Sequence, residues 1–235
     1  MSADATGHAL VAEHTVYACV MGSRAFGLAT ESSDTDRRGV YLAPTALFWR
    51  FEKPPTHVEG PREEEFSWEL ERFCELALRV NPNILECLHS PLVERVDDTG
   101  RELLALRGAF LSRRVHRTFS GYATGQLRQL QADVRQRGAP RWKHAMHLLR
   151  VLAASRDLLR TGTLTLDVGE AREELLAVKR GEVAWDVVER RMARLSEEAD
   201  AAVSGSPLPA EPDRARVSDF LFRARSAALG LSRIG

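Results

Sequence analysis

The stretch Met21–Leu42, MGSRAFGLATESSDTDRRGVYL, decides how this chain folds. It opens on a Gly-Ser pair, Gly22-Ser23, and reaches Asp34-Thr35-Asp36 after a spacer of ten residues. Upstream, TVYACV at Thr15–Val20 is apolar and β-branched enough for a buried strand, expected over residues 15–21. Downstream, GVYL closes a second expected strand, Asp34–Leu42, which Pro44 stops. Side chains alternate along a strand, so Asp34 and Asp36 are expected on one face. Two adjacent carboxylates repel, and both stay ionised only beside a compensating cation. Mg²⁺ is typically held by one or two carboxylates together with substrate phosphates. Gly22 lets the backbone approach a ligand, and the Ser23 hydroxyl with nearby N–H groups can cradle phosphate oxygens. An Asp-x-Asp alone is also a common turn element, in which Asp bonds its own backbone. The strand and the Gly-Ser turn ahead of it move the reading toward a metal and phosphate site.

The Gly-Ser pair, the spacer and the Asp-x-Asp together resemble the signature of the polymerase-beta-like nucleotidyltransferase superfamily. The longer string GSRAFGLATESSDTDRRGVYL resembles one branch, the predicted nucleotidyltransferases associated with RNA repair. So do NPNILECL at Asn81–Leu88 and the Lys-x-x-x-His-x-x-Arg run of Lys143, His147 and Arg150. The resemblance implies an α+β fold. A small mixed β-sheet nucleotidyltransferase core with helices is expected over residues 1–98, and an all-helical C-terminal domain, 99–235, closes the active-site cleft. The implied reaction moves a nucleoside monophosphate from an NTP to an acceptor hydroxyl, and pyrophosphate leaves. Two Mg²⁺ or Mn²⁺ ions are implied, with Asp34 and Asp36 as metal-binding catalytic carboxylates. Gly22, Ser23 and Arg24 are implied at the phosphates. Lys143, His147 and Arg150 are implied on the nucleotide from the helical side.

The superfamily uses a third carboxylate on a neighbouring strand. Glu63-Glu64-Glu65 opens the segment EFSWELERF, where Phe66 and Trp68 alternate as in a short strand. If those aromatics face the core, Glu65 and Ser67 face the other side. Glu65 is therefore the favoured third ligand, with Glu64 second; the family usually has Asp here. All three glutamates also fit a solvated loop. The acceptor that the resemblance favours is an RNA end, with a tRNA end as one case. A protein acceptor stays open, as in an antitoxin-like enzyme that nucleotidylates a protein. So does a catalytically incomplete nucleotide- or RNA-binding module.

The rest of the chain bounds these readings. Its 235 residues suit one large domain or two small ones. Net charge is zero, giving no global pull toward nucleic acid. Between Arg101 and Arg160, however, thirteen Lys/Arg stand against three Asp/Glu, a local +10. Such a stretch suits a polyanion, or forms solvated helix faces. Cys19, Cys74 and Cys87 lie in apolar runs without zinc spacing and read as reduced core residues. No apolar run approaches membrane-spanning length, so no membrane partner and a cytoplasmic location are expected. There is no Gly-Lys-Ser/Thr, GxSxG or HExxH motif.

Residues 1–14 are expected as a tail or short helix, Arg24–Leu28 as a short helix, and Thr45–Glu63 as irregular. Glu69–Val80 has one apolar stripe of Leu70, Phe73, Cys74, Ala77 and Leu78. Asn81-Pro82 starts another helix, and Leu92–Val96 reads as a last strand. Helical periodicity then runs over about 101–110, 112–136, 140–160, 170–179, 183–203 and 213–230. Lys143, His147 and Arg150 share one helix face, and Tyr122 reads as a packed tyrosine, with stacking on a base as the alternative.

Overall fold

The computed structural model describes residues 3–229. In chain order the elements are α1 (Ala3–His14), β1 (Thr15–Val20), α2 (Gly22–Ala25), β2 (Arg37–Tyr41), β3 (His57–Glu59) and β4 (Glu65–Glu69). There follow α3 (Leu70–Leu78), α4 (Pro82–Leu88), β5 (Val93–Val96), α5 (Asp98–Ala105), α6 (Arg114–Arg137), α7 (Trp142–Thr161), α8 (Arg172–Lys179), α9 (Trp185–Ala202) and α10 (Arg214–Ala228). The fold class is α+β. Expectations for residues 1–2, and for a last helix reaching 230, lie outside the described residues.

Packing divides the chain into two compact units: Met1–Ala25 with Ala29–Phe110 and Pro212–Gly235, and Phe26–Leu28 with Leu111–Glu211. The first unit thus takes in residues 212–235, which the sequence placed in the helical domain.

The first unit is built on a five-stranded sheet of order β3-β4-β2-β1-β5. β2 and β4 run parallel, with Arg37 opposite Glu65 and Gly39 opposite Ser67; the other neighbours are antiparallel. On one face Tyr41 and Val58 pack with Leu10 and Val11 of α1. On the other, α4 lies over β1, where the Tyr17 hydroxyl donates to the Cys87 carbonyl at 2.7 Å. The expected stripe on α3 is buried as read. Its N-cap is Glu69, whose carboxylate accepts from the Glu71 N–H at 2.8 Å. Asn81 caps α4 in the same way, with Pro82 in the first turn. Cys19, Cys74 and Cys87 are free and buried.

Three local expectations change. Asp34 and Asp36 precede β2 and do not lie within it, because the ladder starts only where Arg37 pairs with Val20. The short helix is Gly22–Ala25, not Arg24–Leu28. The irregular stretch contains a short strand, β3, added to the sheet edge beside β4.

In the second unit α7 packs against α6, α8 and α9. Its buried face includes Ala145, Met146, Leu149 and Leu152. The three residues Phe26–Leu28 join this unit. The Val168 N–H donates to the Phe26 carbonyl at 3.1 Å, and Arg172 Nε donates to the Gly27 carbonyl at 2.9 Å.

Candidate active site

The turn after β1 brings Gly22 against Asp36. The Met21 N–H donates to the Asp36 carbonyl at 2.8 Å, so the two backbones run side by side. Gly22 has φ +67°, and a Cβ there would stand 2.0 Å from Asp36 Oδ2. Both the dihedral and the contact require glycine. Ser23 follows on α2, half-buried. Arg24 holds the acid-bearing loop: its Nε donates to the Asp34 carbonyl at 3.3 Å and its Nη2 to the Ser33 carbonyl at 3.0 Å.

Beyond β2 the parallel ladder continues one residue, with the Arg37 N–H donating to the Glu64 carbonyl at 2.8 Å. This sets Glu64 level with Asp36. The Asp36 carboxyl group beside it, through hydrogen bonding and through its charge, raises the pKa of Glu64 above its usual value. Burial adds to this, as do the charges of Asp34 and Glu63. Arg38 reaches over both strands. Its Nη1 donates to the Arg37 and Glu64 carbonyls at 2.8 and 3.1 Å, and its Nη2 stands 3.6 Å from Asp36 Oδ1.

Glu65 is turned elsewhere. Its carboxylate sits 3.2 Å from Arg62 Nη1 and also acts on Arg37, which itself pairs with Glu94 at 2.9 Å. The alternation rule holds, but the premise about the core does not. Ser67 and Glu69 are the buried residues of β4, while Phe66 and Trp68 are half-buried. Ser67 fits because Gly39 opposite has no side chain. Glu69 fits because Arg225 of α10 bonds its carboxylate at 3.1 Å. Phe66 and Trp68 therefore have the parity of Glu64, and Glu64 is the glutamate that meets Asp36.

The donors gathered here are carboxylate oxygens, the hard ligands that Mg²⁺ and Mn²⁺ take. The donor chemistry fits a divalent ion. Among the described residues no group of three or more His, Cys, Asp or Glu is drawn together tightly enough to hold a metal as it stands.

The second unit carries the Lys-His-Arg run on α7, with its members unequally exposed. Lys143 is exposed, His147 half-buried, and Arg150 is 3 % exposed. The Arg150 guanidinium lies 3.6 Å from the centre of the Phe26 ring and 3.5 Å from His147 Nδ1. The ring of Tyr122 meets His147 edge-on at 6.4 Å. Burial, then the charges of Arg150, His144 and Lys143, lower the His147 pKa to about 4, so the imidazole is neutral at pH 7. Of the three, Lys143 offers a solvent-facing charge. The support given by Arg38, and the Phe26 ring beneath Arg150, were not read from the sequence.

Residues 5–223 match the family described as RNA repair pathway DNA polymerase beta family (RlaP). An uncharacterized protein, YcgL, of Bacillus subtilis (strain 168) is 33% identical over 81 residues. That alignment spans 33% of this chain and 31% of the relative. A crystal structure of a nucleotidyltransferase-like protein from Exiguobacterium sibiricum 255-15 aligns over 94% of this chain and 79% of its own, with 14% identity and a TM-score of 0.29. No described helix is long and apolar enough to cross a membrane.

Proposed function

This chain belongs to the RNA repair pathway DNA polymerase beta family, and from that premise we propose that it is a metal-dependent nucleotidyltransferase acting on an NTP and an RNA end. The observation that carries this reading is the register that sets Glu64 level with Asp36 at the heads of neighbouring strands, with Gly22 closed against Asp36. Adjacent carboxylates repel, and a divalent cation between them is one way to keep both ionised.

Asp34, Asp36 and Glu64 would hold one or two Mg²⁺ or Mn²⁺ ions. When bound, such ions neutralise the triphosphate and lower the pKa of an acceptor hydroxyl. The protein's own contribution is positioning. Gly22 and Ser23 face the terminal phosphates. Arg24 fixes the loop that carries Asp34, and Arg38 fixes Asp36. The acceptor oxygen bonds to the α-phosphorus, the bond to the bridging oxygen breaks, and pyrophosphate departs. The acceptor proton passes to solvent water. Glu65, bound to Arg62, has no part in this reading.

The test is transfer of α-³²P label from each NTP, with Mg²⁺ or Mn²⁺, to total RNA, total protein or the enzyme itself. Label on RNA that Asp36→Asn abolishes supports the proposal. Label on protein reassigns the acceptor to a protein hydroxyl. NTP binding without transfer to any acceptor overturns catalysis in favour of a binding module.

A further inference from the structure

On the sheet face that carries Asp36 and Glu64, β3 and β4 bear a row of aromatic rings. We infer that His57 and Phe66 form a stacking shelf for a nucleobase beside the carboxylates; this rests on the nucleotidyltransferase reading and names a further part of the same site.

Register places the shelf. Phe66 is two residues beyond Glu64, so the two side chains leave the same face about 7 Å apart. Across the ladder Phe66 is the partner of Arg38, the residue that pairs with Asp36. A ring at that spot lies one ribose away from a phosphate held at the carboxylates. Phe66 is half-buried and His57 exposed, so the pair meets solvent.

The rings are already set for stacking. The planes of His57 and Phe66 lie within 4°, with centres 5.3 Å apart, an offset parallel stack. Trp68 tilts against Phe66 at 4.6 Å and packs in turn on Phe73 at 5.9 Å. Phe73 is fully buried, so the row runs from solvent into the core and fixes the orientation of Phe66. A stacked imidazole–phenyl pair beside a phosphate-binding cluster presents a flat surface suited to a nucleobase. Stacking is tolerant of base identity and favours bases with more π-surface, so purines should bind better than pyrimidines.

The base belongs either to the NTP or to the end of the acceptor, and binding measurements separate the two. Full-length protein with Mn²⁺ would be titrated with each NTP, with inorganic tripolyphosphate and with a single-stranded oligoribonucleotide. In Phe66→Leu, NTP or oligonucleotide should bind about fivefold or more weakly, the low end of stacking on one base, and tripolyphosphate should bind as in wild type. Phe66→Tyr should restore affinity. Loss for the NTP alone assigns the donor base, and loss for the oligonucleotide alone assigns the acceptor base. If Phe66→Leu fails to fold, His57→Ala at the exposed end should give the same pattern at about twofold. Unchanged affinity for both nucleotide probes, or an equal loss for tripolyphosphate, overturns the shelf. Wild-type protein that binds neither NTP nor tripolyphosphate overturns the nucleotidyltransferase reading, and the shelf with it.

Discussion

Gly22→Ala isolates the geometry on which the site depends. The backbone at Gly22 sits at φ +67°, a conformation that costs an L-residue about 1–2 kcal/mol. That penalty alone should lower Tm by about 2–8 °C. The added methyl would also stand 2.0 Å from Asp36 Oδ2 and 3.1 Å from its Cγ, so the carboxylate must move. Moving it away also lengthens its 3.6 Å approach to Arg38 Nη2. A displacement of about 1 Å at a reacting centre can cost on the order of 100-fold in rate. Label transfer should therefore fall about 100-fold in a protein that still folds. Thermal unfolding and the transfer assay measure the two effects separately. Gly108→Ala is the control, since a Cβ there meets nothing within 4 Å. A Gly22→Ala protein with wild-type Tm and full transfer would refute the close approach of Gly22 to Asp36, and the site built on it.

Glu64→Gln should abolish transfer while Glu65→Gln keeps most of it; the reverse result in the same label assay would return the third ligand to Glu65. Glu64→Gln should also stabilise the metal-free protein at neutral pH. Its raised pKa means that stability is fully present below the unfolded value and lost as pH rises through the folded one. His147 works in the opposite sense. With a folded pKa of about 4 against 6.5, the unfolded chain takes up its proton first, and stability falls between those limits as the solution is acidified. The loss is up to about 3 kcal/mol, and in urea unfolding His147→Gln should reduce the slope across that window. Phe26→Leu removes the ring beneath buried Arg150 and should cost about 2 kcal/mol in the same unfolding assay.

Much of the first unit was legible because its signals are local. The apolar run of β1, the stripe of α3 and the Asn81-Pro82 start of α4 each occupy one short window. So does the Gly-Ser turn, whose partner Asp36 is near in sequence. The choice between Glu64 and Glu65 was not local. It turned on which face of β4 is buried, and that depends on Gly39 making room for Ser67 and on Arg225 neutralising Glu69 from 156 residues away. A glutamate in the core is costly unless paired, and its pairing cannot be seen in the EFSWE window. Arg150 likewise read as a nucleotide-facing cation because helical spacing put it on one face with Lys143 and His147. The ring of Phe26 that covers it lies more than a hundred residues earlier.

The three residues Phe26–Leu28 bear on how this protein can be taken apart. They are threaded between two segments of the first unit yet belong to the second, so no single cut yields either unit whole. A fragment of residues 111–211 would lack the Phe26 ring over Arg150 and the carbonyls that receive Val168 N–H and Arg172 Nε. A fragment ending at residue 211 would strip Arg225 from buried Glu69. Dissection into halves should give two poorly folded pieces, and a short peptide carrying AFGLA should rescue the helical one in trans. Insertions and deletions are then least tolerated just after the Gly-Ser turn, where one stretch of backbone serves two folding units at once.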